Sequence, residues 1–305
     1  MRQIVIEYEP RLVEEAVFLA VQGAGEGRAF RRERDRLYEV ADPEARDAGF
    51  RAFHAAWFDR LGLGSGIALA LQEHPSIAAS TSRCLVAHAS SSPDEGAELF
   101  VSPESGTNGA LRRVVVIRLR PETFTLPDRL RLLLRHELFH IADMLDPRFG
   151  YAPRLPVTDA GPSHERLLRD RYRVLWDAYI DGRLSRLGWA PPGIRADRLS
   201  EFARAFPRLG ERTEEAFDHF FGAASLSHAE LVAFAVNPES ILGAGRPGGI
   251  CPLCRFPTHV FEPEPDRLSE AVRGRIRSDF PQWEAAAGLC LQCADLYRSR
   301  SPSLA

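Results

Sequence analysis

The sequence predicts an α+β fold, mostly helical, with a small sheet ahead of one long buried helix and a small four-cysteine zinc module at the C-terminal end. Three observations predict it. Apolar residues at helical spacing run through 11–75 and return from 127 onward. Between them the period changes, and short β-branched runs end at Pro121. Four of the five cysteines form two CxxC pairs, Cys251/Cys254 and Cys290/Cys293. The expected domains are a helical region over 1–80, a central domain over 81–245 and a cysteine module over 246–305.

Taken in order, Arg11 to Val21 carries Leu12, Val13, Ala16, Val17 and Ala20 on one helical face and stops at Gly23-Ala24-Gly25. Pro43 to Leu63 is a second amphipathic helix, with Asp42 as N-cap and Pro43 at the first helical position. Cys84–Ala87, Glu98–Val101 and Arg112–Leu119 are the strand candidates, the last two joined by a Gly/Pro-rich loop over Ser102–Ala110. A long helix is predicted from Pro127 to Leu145, started by a capping box of Thr125 and Asp128 and ended by Asp146-Pro147. A second runs from Ser163 to Leu187, and helices continue through 198–242. Residues 243–249 read as a linker into the cysteine segment.

Composition narrows the function. A chain of 305 residues buries roughly three quarters of its unfolded surface, so it needs no covalent staples. Apolar content of 45% and charged content of 27% exclude a disordered or fibrous protein. The net charge of −3 removes the simplest case for a nucleic-acid or anionic-membrane binder; every basic residue is arginine, which we attribute to coding bias. Glu7 and Glu9 interrupt the first ten residues, which do not read as a signal peptide, and no apolar run is long enough to span a bilayer. The expected compartment is the cytosol, where CxxC pairs bind metal rather than form disulfides.

The sharpest signal is His136-Glu137-Leu138-Phe139-His140, an H-E-x-x-H pattern. Residues four apart share a helix face, so both imidazoles can reach one zinc ion. Glu137 then stands where its carboxylate can take a proton from an activated water and return it to a leaving amine. Around the motif Leu130, Leu133, Leu134, Leu138, Ile141 and Leu145 make the helix apolar nearly all round, and buried histidines and glutamate are costly unless paired. The plainer alternative is an internal polar network with nearby arginines.

This segment, roughly residues 80–190, resembles the zincin metallopeptidases, in which a sheet with a substrate-aligning edge strand precedes the active-site helix. Asp177-Ala-Tyr-Ile-Asp181 resembles the downstream acidic motif of the gluzincin branch. That resemblance implies Asp177 as third ligand, shorter than the branch's Glu, and Asp181 as the group orienting a histidine. The plainer reading pairs Asp177 with Arg173. Two other third ligands stay open: His164 at the start of the second long helix, and Asp146 at the metzincin-like spacing, where Asp143 replaces the branch's Gly. Tyr151, Tyr179 and Arg183 could donate to an oxyanion, and none is assigned.

Each CxxC can place two thiolates on adjacent corners of a tetrahedron, so Cys251, Cys254, Cys290 and Cys293 are expected to form a closed structural zinc site. Cys84 lies outside the pattern and is expected in the core. A helix over Arg267–Arg277 would fill the gap between the pairs. The module resembles zinc ribbons and treble clefs, and with H-E-x-x-H it resembles the SprT-like peptidases. Their basic ribbon is missing: from residue 246 onward eight arginines face seven acids.

The expectation is a zinc hydrolase acting on a peptide or protein substrate, with one catalytic and one structural zinc and no nucleic-acid or membrane partner. Its catalytic metal lies on His136, His140 and Asp177, and Glu137 is the base. The alternatives are a non-catalytic, zinc-stabilised interaction protein on the same scaffold and a nucleic-acid-associated peptidase.

Overall fold

The computed structural model describes residues 4–23, 25–103, 111–156, 162–238, 249–258 and 261–299. Most of the expected linker over 243–249 and most of the loop over 102–110 lie outside them. The chain begins with strand β1 (Val5–Tyr8), followed by α1 (Pro10–Gly23), α2 (Gly27–Asp35), α3 (Pro43–Arg60), α4 (Ser65–Gln72) and α5 (Pro75–Ser80). Strands β2 (Arg83–His88), β3 (Gly96–Pro103) and β4 (Leu111–Leu119) precede the motif helix α6 (Pro127–Leu145). Then come α7 (Pro162–Arg186), α8 (Ile194–Ala205), α9 (Thr213–Gly222) and α10 (His228–Val236). The hairpin β5 (Gly249–Ile250) and β6 (Pro257–Thr258), with α11 (Glu270–Asp279) and α12 (Leu291–Ser299), makes up the cysteine segment.

The fold is mostly helical with a small sheet, as expected, and the sheet has four strands where three were expected. β1 is an element the sequence pattern does not announce. It holds its place by parallel pairing, Ile6 opposite Cys84. Strand order is β1-β2-β4-β3, with β2 parallel and β3 antiparallel to β4, so β3 forms one edge. The α3 N-cap forms as predicted, the Asp42 carboxylate accepting from Ala45 N at 2.8 Å. The Thr125/Asp128 capping box does not. Thr125 Oγ1 donates to the Glu122 carbonyl within a 3₁₀ turn, and Asp128 pairs with Arg131.

The residues group into two compact units. One comprises Met1–Arg154, Trp176–Leu199 and His219–His228. Its core lies on one sheet face, where Cys84, Val86, Val115, Ile117 and Leu119 are buried against Leu12, Ala16, Val17, Trp57 and Ile67. Full burial of each large side chain contributes about 1.5–3 kcal/mol, enough to set the roll of any helix joining this core. On α6 the stripe Leu130, Leu134, Leu138 and Ile141 makes that contact. At 100° per residue, His136 and His140 fall on the opposite side, and Glu137 flanks the stripe. Cys84 is wholly buried, and burial pushes its thiol up to about 12.

The other unit comprises Leu155–Leu175, Ser200–Asp218 and Ala229–Ala305. It packs Phe202 against Phe206 and Phe206 against Phe234, ring centres 4.7 and 5.3 Å apart. It also holds the cysteine segment, whose small core includes Leu268, Val272, Ile276, Trp283, Leu289 and Tyr297. No helix among the described residues is long and apolar enough to cross a membrane.

Candidate metal centre

The roll of α6 presents His136 and His140 to α7, where Asp177 and Asp181 stand one turn apart. His140 Nε2 is 3.2 Å from His136 Nε2 and 3.1 Å from Asp177 Oδ1, and His136 Nε2 is 3.6 Å from the same oxygen. Three donor atoms thus converge on one point. Bonds of about 2.0–2.1 Å to a tetrahedral zinc put neighbouring ligand atoms about 3.3 Å apart, so the spacing fits such an ion. His136 Nδ1–H donates to Asp181 Oδ1 at 2.8 Å, which fixes the ring so that Nε2 is the nitrogen facing the other two donors. Arg198 Nε donates to Asp181 Oδ2 at 2.5 Å and steadies that carboxylate in turn.

The charges in the cluster are strongly coupled. Burial lowers the pKa of His136, but the carboxylates of Asp177 and Asp181 outweigh it and raise it to about 10. Burial raises the carboxyl of Asp177, and the two histidines overcome it and hold the group well below its usual range. Asp181 is likewise lowered, its burial outweighed by His136 and Arg198.

Of the three candidate third ligands, Asp177 is the one brought into the group. Asp146 is half-buried and engaged by Arg148 through its backbone N–H and guanidinium. His164 lies in the first turn of α7, more than three helical turns before Asp177. The pairing of Asp177 with Arg173 gives way to the two histidines and to Arg198, 3.9 Å away.

Glu137 points toward the sheet. Its Oε2 accepts from Ala97 N on edge strand β3 at 3.0 Å, and it lines a cleft of about 620 Å³ with His88, Asp94, Gly96 and Arg118. Two of the three oxyanion candidates have structural duties. The Tyr179 oxygen accepts from Leu226 N, and the Arg183 guanidinium binds Asp143. Tyr151 stands 5.5 Å, ring to ring, from both Trp176 and His228, and Trp176 meets His140 edge-on at 4.5 Å. Arg198, Trp176 and His228 had no short-range signal in the sequence, because each reaches the site by tertiary contact.

In the second unit Cys251, Cys254, Cys290 and Cys293 bring their sulfurs within 4.8 Å of one another. Cys251–Cys293 and Cys254–Cys290 are each 3.9 Å apart, against about 3.8 Å for the edge of a zinc–thiolate tetrahedron. Cys251 and Cys254 sit in the turn between β5 and β6, and Cys290 and Cys293 open helix α12. Backbone N–H groups of Cys290 and Cys293 donate to the sulfurs of Cys251 and Cys290. Burial raises the Cys251 thiol, but N–H donors from Cys254, Cys290 and Leu253 outweigh it and bring it down to about 7. Such donors suit a thiolate ligand. Both clusters could hold a metal ion. No family model, curated protein or solved structure matches the chain.

Proposed function

We propose that the chain is a zincin-like zinc metallopeptidase of gluzincin type, stabilised by a second zinc in a treble-clef-like four-cysteine module. The observation that carries this reading is the convergence of His136, His140 and Asp177 at ligand spacing, with Asp181 behind His136 and Glu137 in the same motif. His136, His140 and Asp177 would hold zinc, which would supply Lewis acidity toward a water and a substrate carbonyl. Glu137 takes the proton on its carboxylate and delivers it to the departing amine. The outward N–H of Ala97 marks β3 as an edge along which an extended substrate backbone can pair. Tyr151 offers a phenol donor on the Trp176 side; a phenol keeps its proton at neutral pH, and burial raises its pKa further.

Metal analysis and a peptide-library assay test the proposal. Wild type should carry two zincs, and His136→Ala/His140→Ala should carry one. Glu137→Gln should keep both and lose cleavage by about 10²–10⁴-fold. Two zincs in the histidine variant would refute the site, and undiminished hydrolysis by Glu137→Gln would refute the base.

A further inference from the structure

Asp143, three residues past His140, is a buried carboxylate that the hydrolytic reading leaves unused. Its Oδ1 accepts from Arg183 Nη1 at 2.9 Å, and its Oδ2 accepts from Arg183 Nη2 at 2.6 Å and from Trp176 Nε1 at 2.8 Å. A two-pronged guanidinium and an indole N–H satisfy the charge, which accounts for its burial. The position of these partners carries the inference. Trp176 immediately precedes Asp177, and its ring meets the His140 imidazole edge-on, 4.5 Å between centres at 83°. The indole is also stacked on Phe149, at 5.2 Å and 20°. Arg183 lies two residues past Asp181, with its guanidinium 4.7 Å from the ring of Phe139, inside the motif. The carboxylate therefore ties together the ligand-bearing turns of α6 and α7.

Imidazole rotates broadly about its second side-chain torsion, so a ligand ring needs something to hold its plane. His136 is aimed by a hydrogen bond to Asp181. His140 faces a wall instead. We propose that Asp143 and Trp176 are positioning residues for His140: the carboxylate grips the indole N–H, and the indole fixes the plane in which His140 offers its nitrogen to the metal. The inference rests on the metal reading of this site.

The test uses the full chain with its cysteine site loaded. Zinc affinity of the second site is read by competition with a chromophoric chelator, and the His140 ring by ¹⁵N NMR. Trp176→Phe keeps an aromatic wall but drops the N–H, and should weaken zinc binding about tenfold or more with altered His140 ring signals. Asp143→Leu/Arg183→Met replaces the charge pair with apolar groups, and should melt close to wild type while zinc affinity stays low. If Trp176→Phe binds zinc like wild type with unchanged ring signals, the positioning role is overturned and the metal site stands. Wild-type zinc affinity together with near-wild-type melting in the double variant would likewise reduce Asp143 to a structural role. Failure of the wild-type chain to bind a second zinc would overturn both readings.

Discussion

A methyl group placed on Gly96 would stand 3.2 Å from Glu137 Oε2, closer than most side-chain carbons ever approach a neighbour. The absent side chain is what lets the carboxylate settle against β3. Gly96→Ala should therefore displace Glu137 and depress kcat, while zinc content and melting temperature stay near wild type; steady-state kinetics with metal analysis decides it. Arg255 is the complementary case. It follows Cys254 at φ +61°, a left-handed conformation that costs a non-glycine residue about 1–2 kcal/mol. Its N–H nonetheless closes the knuckle on the Cys251 carbonyl at 2.9 Å. Arg255→Gly should stabilise the cysteine module by about 1 kcal/mol, seen as slower zinc loss to a chelator.

At the scale of elements, α7 is placed by a glycine. A Cβ on Gly182 would fall 1.9 Å from the carbonyl oxygen of Phe221 in α9. Backbone cannot yield by that much without moving the helix that carries Asp177 and Asp181. Gly182→Ala should cost about 1–3 kcal/mol or more in a denaturant melt, and should weaken zinc binding as well. The same scale shows what the sequence could express. H-E-x-x-H, the Asp177/Asp181 pair and the Asp42 cap are patterns within one or two helical turns, and helical geometry alone brings their side chains together. β1 escaped because four residues carry too little periodicity, and its identity comes from a partner 78 residues away, Val5 opposite Arg83. Thr125 misled because a hydroxyl next to a 3₁₀ turn has a nearer carbonyl than the N-terminus of the helix offers. Asp143 reads as a mere departure from a turn motif until Trp176 and Arg183 arrive from another helix.

For the whole molecule the coupled charges set a pH response. His136 titrates near 10 in the metal-free fold against about 6.5 unfolded, so its contribution is complete below pH 6.5 and fades as the pH climbs to 10. Asp177 and Asp181 are depressed, so theirs is present above about pH 4 and is lost as the pH falls through their folded values. Without its ion the cluster stabilises most between about pH 4 and 6.5. Zinc must evict the His136 proton, so its binding should release about one proton at pH 7 and raise the melting temperature more at pH 9 than at pH 5. Calorimetric titration in buffers of different ionisation heat measures the first, and paired melts the second. One further consequence follows from the Glu137–Ala97 bond. An unsheltered sheet border invites stray chains to add on and starts aggregation. Here a carboxylate already occupies one rung of that border, so a docking segment must first evict the acid. The side chain assigned to proton transfer is thereby also the one that caps the Ala97 donor on that border.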